Sequence, residues 1–270
     1  LRIVDVGANP LVEGEVSYQK LLEAGYAEVV GFEPQEHALA ALLEQKTDAE
    51  TYLPYALGSG SPQTLHICRS SGFTSVHPCD PKSAQYLGFS RGMQATGEVE
   101  ISTRRMDDLK EIGAVDFLKI DVQGSEADII RHGHDTLRNA VAIQTEVRFF
   151  PLYENEPSYG DLERVMTEGR FRFLKLAGLK HVSASASWRK RLRRSVYSQA
   201  VDGDAYFLRD LRDPEAYSSE QLATLSLLSD AIMDAPDVAL FALDVLVQRR
   251  AVPAEAPEKY LSWLPANWLR

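Results

Sequence analysis

The sequence predicts an α/β fold built on a doubly wound, mostly parallel sheet. Three observations carry this. Apolar strand-like runs alternate with helical patterns from residue 1 to about 147, the order that builds βαβ units. A glycine, Gly7, follows the first run, and an acidic residue, Glu33, closes the second. That is the layout of a nucleotide-binding half: a glycine lets the ligand approach the backbone, and a carboxylate accepts hydrogen bonds from ribose hydroxyls. Finally, Lys119 and Asp121 interrupt an otherwise apolar run. A central parallel strand is normally apolar throughout, so charge there belongs to a site or to a buried pair.

The elements follow in order. A strand over 2–6 leads to a helix around 17–24, and a strand over 28–32 leads to a helix over 36–46. Tyr52 to Ala56 reads as a third strand, with Pro54 pushing it to a sheet edge because proline cannot donate to the ladder. After a turn at Gly58–Pro62, the runs Thr64–Cys68 and Val99–Thr103 pair as an antiparallel annex. The stretch 69–97 between them is rich in Ser, Gly and Pro and reads as one long loop, a candidate substrate lid. Its Gly72, Gly88 and Gly92 permit movement, and Phe73, Tyr86 and Phe89 offer faces to a sugar ring. A fourth strand covers 115–121, a helix 125–138 and a fifth strand 141–147. A helix over 159–168, a strand over 171–176, a polar loop over 183–194 and a last strand over 204–208 complete a domain spanning 1–210. From Ser218 the pattern is helical: Ser218 and Gln221 form a capping box, and Leu222, Leu225, Leu228 and Ile232 recur at helical spacing. The segment 211–270 is expected to pack on the domain or in an oligomer contact.

Composition narrows the function. A formal charge of −10 and a pI near 5.2 disfavour non-specific nucleic-acid binding, which needs a basic face. Cys68 and Cys79 give neither a disulfide framework nor zinc spacing and suit a reducing compartment, the cytoplasm. No apolar run approaches the roughly 20 residues that span a bilayer, and no signal peptide is visible. Leu1 already lies inside a strand, which leaves open a segment ahead of it.

The glycine loop narrows the cofactor. A dinucleotide fingerprint places glycines at the first, third and sixth positions; here those are Gly7, Asn9 and Val12. No Gly-Lys-Ser/Thr string marks a triphosphate site. A cofactor with adenine and ribose but no phosphate suits the loop, and S-adenosylmethionine is such a cofactor. Lys119 needs a carboxylate, and Asp5 on the first strand and Glu146 on the fifth are its candidate partners. Ser125 or Gly124 caps the next helix, with Glu126 in its first turn, where the dipole favours negative charge.

Asp5-Val6-Gly7-Ala8-Asn9, Gly31-Phe32-Glu33-Pro34, Ala56-Leu57-Gly58 and above all Lys119-Ile120-Asp121-Val122-Gln123-Gly124-Ser125-Glu126 resemble the FkbM family of S-adenosylmethionine-dependent methyltransferases. The resemblance covers roughly residues 1–150 and, less clearly, to about 210. It implies a Rossmann-like sheet of the class I methyltransferase type with an antiparallel last strand, and O-methylation of a hydroxyl on a sugar in a glycan or natural product. Carried over, Asp5, Gly7, Ala8 and Asn9 lie by the methionine part of the cofactor, Glu33 holds the ribose, Ala56 and Leu57 border the adenine, and Asp121 faces the transferred methyl. The family usually has a second glycine soon after Asn9, where this chain has Pro10-Leu11, so a reshaped loop is expected.

A hydroxyl acceptor needs a base. Asp121 is the first choice, Glu146 the second and His77 the third, with Lys119 completing the catalytic set. No spacing calls for a metal; convergence of Asp121 and Glu146 would leave a divalent cation as an alternative. A non-catalytic relative, suggested by Pro10-Leu11, and a dehydrogenase-type enzyme are the competing readings. The basic run Trp188 to Arg194 is either a solvated loop or an anchor for an anionic acceptor or a membrane surface.

Overall fold

The computed structural model describes residues 1–9 and 16–270, so Pro10, Leu11 and Val12 lie outside the described residues. The first half alternates as expected: β1 (Arg2–Val6), α1 (Gln19–Glu23), β2 (Glu28–Phe32), α2 (Glu36–Gln45), β3 (Glu50–Leu53). There follow β4 (Ala56–Leu57), β5 (Pro62–Cys68), α3 (Pro81–Leu87), β6 (Ala95–Arg104), β7 (Phe117–Ile120), α4 (Glu126–Arg131) and β8 (Ala142–Arg148). The chain ends with α5 (Tyr159–Glu168), β9 (Phe171–Leu176), β10 (Lys180–Val182), β11 (Gln199–Arg209), α6 (Ser219–Ala231), α7 (Pro236–Gln248) and α8 (Ala256–Leu261).

The main sheet runs β10-β11-β8-β7-β1-β2-β3, with β9 also on β11. The five strands from β8 to β3 are parallel; β11 enters antiparallel to β8, and β9 and β10 pair antiparallel with β11. This is the Rossmann-like arrangement with an antiparallel late strand. The strand order reverses at the β7/β1 junction, and the crevice beyond the carboxyl ends there is where open α/β sheets bind ligands.

Both faces of the sheet are covered, which is why β1, β2 and β7 read as near-continuous apolar runs. Ile120, Ile129, Ile130, Leu162, Val165 and Phe207 pack one face, beneath α4 and α5. On the other, Ile3, Val29, Phe117 and Tyr206 pack against Leu222, Leu225, Leu228 and Leu246 of α6 and α7. The Ser218/Gln221 capping box starts α6 at the expected place.

The strands expected over 99–103 and 204–208 run longer, as β6 and β11, and three further differences reshape their surroundings. The third strand stops at Leu53, because Pro54 has no N–H to continue the ladder; Ala56-Leu57 then leaves the main sheet as β4 and pairs with β6. The helix after β7 ends at Arg131, and a short 3-10 turn at Thr136–Asn139 completes the connection. The stretch 69–97 is not one long loop. It contains α3, whose N-cap Asp80 accepts the Lys82 N–H at 2.9 Å and whose end is closed by Gly88 in the left-handed region. Ala84, Leu87 and Met93 pack there with Leu152, Tyr153, Val182 and Val201 in a small core of their own.

Candidate active site

The site is assembled where β1, β2 and β7 end. Gly7 turns with φ +83°, and a Cβ built on it would lie 2.0 Å from the Asp121 carbonyl oxygen. Only glycine permits that approach. The Gly7 and Ala8 N–H groups both donate to the Phe32 carbonyl, at 3.0 and 3.2 Å, and the Asp121 N–H donates to Val6 at 3.0 Å. Beneath this turn Asp5 is 1% exposed; it accepts from the Tyr18 hydroxyl at 2.7 Å and from Lys119 Nζ at 3.2 Å. Of the two partners proposed for Lys119, Asp5 is the one it meets.

Glu33 directly follows β2 and is buried, with one carboxylate oxygen accepting the Gln35 N–H at 2.7 Å. Burial pushes its carboxyl above the usual glutamate range, and the Asp5 charge adds to this. Glu33 faces a cavity of about 950 Å³, part of it open to solvent. Gly7, Asn9, Ala56, Leu57 and Asp121 line the same cavity, whereas Asp5, Ala8, Lys119 and Glu146 do not. One wall comes from the small sheet, through Gln63, Leu65, Ile101 and Thr103, and from Thr74 and Val76 of the 69–97 stretch. Sequence reading missed this wall, because nothing local says that an antiparallel annex folds back over the crevice.

These linings fit the cofactor. They combine a buried carboxylate, Glu33, an apolar stretch at Ala56 and Leu57, and the acidic Asp121, a donor set able to hold a ribose, a flat base and a cationic centre.

Beside the cavity, Asp121, Glu126 and Glu146 bring one carboxylate oxygen each to within 4.8 Å of the others. Glu126 is occupied by its own turn, accepting from the Val122 N–H at 3.0 Å and from the Gly124 N–H at 3.0 and 3.2 Å. Gln123, in the left-handed region at φ 58°, links the other two: its amide nitrogen donates to Asp121 at 2.8 Å and to Glu146 at 3.2 Å. Its amide oxygen accepts from Arg148 at 3.3 Å and from the Tyr153 hydroxyl at 3.0 Å. Arg148 also donates to Glu146 at 2.5 Å and to Asp202 at 3.2 Å. Glu146 is raised well above the usual glutamate range, first by burial and then by the Asp121 charge, with Arg148 opposing. Gln123, Arg148 and Asp202 were not singled out from the sequence. The polar alternation Gln144, Glu146, Arg148 along a central strand was the available signal, the same one that marked Lys119 and Asp121.

Other expectations meet particular outcomes. The His77 ring packs against Gly124, and burial lowers its pKa. Arg189, the first arginine of the basic run, donates to the Leu87 and Tyr86 carbonyls at 2.7 and 3.0 Å and so closes the end of α3. Cys68 and Cys79, which showed no pairing in sequence, have their sulfur atoms 3.4 Å apart.

Comparison with known proteins decides the family. The FkbM methyltransferase domain matches residues 5–173. The chain belongs to the FkbM methyltransferase family. Its membership assigns S-adenosylmethionine as methyl donor and methyl transfer as reaction class to the FkbM domain, and removes the dehydrogenase alternative. The chain is 40% identical over 165 residues to the 2-O-methyltransferase NoeI of Sinorhizobium fredii, a match covering 57% of this chain and 66% of that protein. The FkbM methyltransferase structure from Methylobacillus flagellatus KT is 15% identical with a TM-score of 0.39, over 76% of this chain and 43% of that one. Magnesium protoporphyrin IX methyltransferase from Synechocystis PCC 6803, solved with SAM, is 14% identical with a TM-score of 0.36, over 78% and 70%. No helix among the described residues is long and apolar enough to cross a membrane.

Proposed function

We propose that this FkbM domain methylates a hydroxyl group, and that the acceptor is a sugar in a glycan or natural product. The observation that carries the reading is one cavity bounded by Glu33 at the end of β2 and by Asp121 beyond β7, with the Gly7 turn between them. The 40% identity to a 2-O-methyltransferase supports an oxygen acceptor.

Bound S-adenosylmethionine supplies a methyl group on a positively charged sulfur and leaves as a neutral thioether. In this reading Glu33 accepts hydrogen bonds from the ribose hydroxyls, Ala56 and Leu57 border the adenine, and the Gly7–Asn9 turn holds the methionine part. Asp5 and Lys119 act from below: their buried pair locks the ends of β1 and β7, so that Gly7 and Asp121 keep their spacing. Asp121 orients the acceptor at the methyl group, and Glu146 supports Asp121 through the shared Gln123 amide. Holding acceptor, methyl and sulfur in line is worth up to about 7–11 kcal/mol in the best cases. The exposed Lys190, Arg191, Arg193 and Arg194 offer charge to an anionic acceptor, with Arg189 committed to α3.

Calorimetric titration with S-adenosylmethionine and with NAD, followed by transfer of labelled methyl to a panel of methyl glycosides, tests this. Binding of the former alone, with a methyl ether on a ring carbon found by NMR, is the expected result. Failure to bind S-adenosylmethionine would overturn the reading, and binding without transfer to any hydroxyl would reduce the domain to a binding module.

A further inference from the structure

The sheet register places a third acid in line with Asp121 and Glu146, at the rim of the cavity-bearing edge and not in the cavity lining itself. Asp204 of β11 stands directly opposite Glu146 of β8, and Lys119 of β7 stands opposite Gln144. Asp121, Glu146 and Asp204 therefore occupy one transverse row, a single pleat beyond the row of Asp5, Lys119, Gln144 and Tyr206. Side chains two apart along a strand share a face, so this row points where Lys119 and Asp5 point.

The three acids differ in what holds them. Asp121 accepts the Gln123 amide, and Glu146 accepts both that amide and Arg148. Glu146 also lies inside the protein, whereas Asp204 is exposed. Among the described residues no side chain or N–H donates to the Asp204 carboxylate. A base must offer an unoccupied lone pair to a proton arriving from solvent-accessible substrate. Asp204 meets that condition, and its two neighbours meet it less well.

We propose that Asp204, rather than Asp121 or Glu146, takes the proton of the acceptor hydroxyl. The proposal rests on the hydroxyl-methylating reading given above. The acceptor oxygen forms a bond to the methyl carbon as the carbon–sulfur bond breaks; the electron pair stays on sulfur, and the hydroxyl proton passes to Asp204. One sulfonium cation, one neutral hydroxyl and one carboxylate become a neutral thioether, a methyl ether and a carboxylic acid, so charge and atoms balance.

The surroundings tune this base. The protein crowding one side of the Asp204 carboxyl raises its pKa above the usual aspartate range; the Asp121 charge adds to the rise, Lys119 opposes it and Asp202 adds a little. Glu146 faces it from β8, while Arg148 stands opposite Asp202 and is engaged there. Turnover should accordingly fall on the acid side as Asp204 takes up its proton, at a pH above that of an ordinary aspartate.

The test compares Asp204→Asn, Asp121→Asn and Glu146→Gln in the full chain, with S-adenosylmethionine and whichever methyl glycoside the wild type accepts. Asp204→Asn should lower kcat by about 10²–10⁴-fold and flatten the acid limb of the pH profile. Its affinity for S-adenosylmethionine and its thermal midpoint should match wild type, and Asp204→Glu should recover part of the rate. Turnover of Asp204→Asn within about threefold of wild type, or an acid limb that vanishes in Asp121→Asn and persists in Asp204→Asn, would overturn the assignment alone. A wild type that binds S-adenosylmethionine but methylates no hydroxyl overturns the underlying reading as well.

Discussion

Replacing Lys119 with methionine tests how the floor of the site is held. The lysine side chain is 6% exposed and its partner Asp5 is 1% exposed, with 3.2 Å between Nζ and Oδ1. Methionine keeps the length and apolar stem but leaves Asp5 with only its Tyr18 hydroxyl as a named donor. Breaking a buried pair by removing one partner typically costs about 3–5 kcal/mol. The retained Tyr18 bond puts the expectation near the lower figure, about 3 kcal/mol. At roughly 2–4 °C per kcal/mol for a chain of this size, the thermal midpoint should drop by ~6–12 °C. Urea unfolding at neutral pH with tryptophan fluorescence would measure the cost, and calorimetry the midpoint. The double variant Lys119→Met/Asp5→Asn should return a large part of the loss, because the orphaned charge is then gone. Unfolding of Lys119→Met at the wild-type midpoint, or strictly additive effects in the double variant, would refute the buried pair as the strut of β1 and β7.

Three further outcomes are expected. Glu33→Gln should weaken S-adenosylmethionine binding by about 1.5–3 kcal/mol, the range for hydrogen bonds to a charged group. In the proposed reading the ionised form holds the ribose, and burial raises that carboxyl, so wild-type affinity should fall with decreasing pH from above the ordinary glutamate range; an affinity flat with pH and unchanged in the variant would sink the assignment. Gly7→Ala should lose both stability and cofactor binding, since its Cβ would meet the Asp121 carbonyl at 2.0 Å and φ is +83°; a variant that unfolds and titrates like wild type would contradict the close approach. Extensive dialysis against EDTA should leave turnover unchanged, because Gln123 and Arg148 already donate to one oxygen each of Asp121 and Glu146 and so compete with a cation there; loss of turnover restored by magnesium would show a metal instead.

Much of this fold could be read because its signals are local. β1, β2 and β7 are largely apolar runs bounded by turns, and the Ser218/Gln221 box announces α6 within four residues. α3 was missed although its marks were present: Asp80 before Pro81 is an N-cap followed by a first-turn proline, and Gly88 closes the helix. The Ser, Gly and Pro content of 69–97 outweighed them. The site divides the same way. Lys119 and Asp5 were legible because charge in a buried strand demands a partner. Glu126 as the anchor of its own turn required the left-handed Gln123 and Gly124 to be seen in space. Arg189 looked like surface charge, but its bond to Leu87 crosses 102 residues of sequence.

Asp204 is the sharpest case. Its position opposite Glu146 depends on β11 entering antiparallel beside β8 in one register. A slip of one residue would turn its side chain to the opposite face of the sheet. Nothing within β11 fixes that register by itself. Tyr206 and Leu208 do so, by burying against Leu222, Leu225 and Leu228 of the C-terminal helices, and the Tyr206 hydroxyl donates to the Ile232 carbonyl at 3.0 Å. The helical tail, which contributes no residue to the cavity, thereby holds the strand that carries the proposed base.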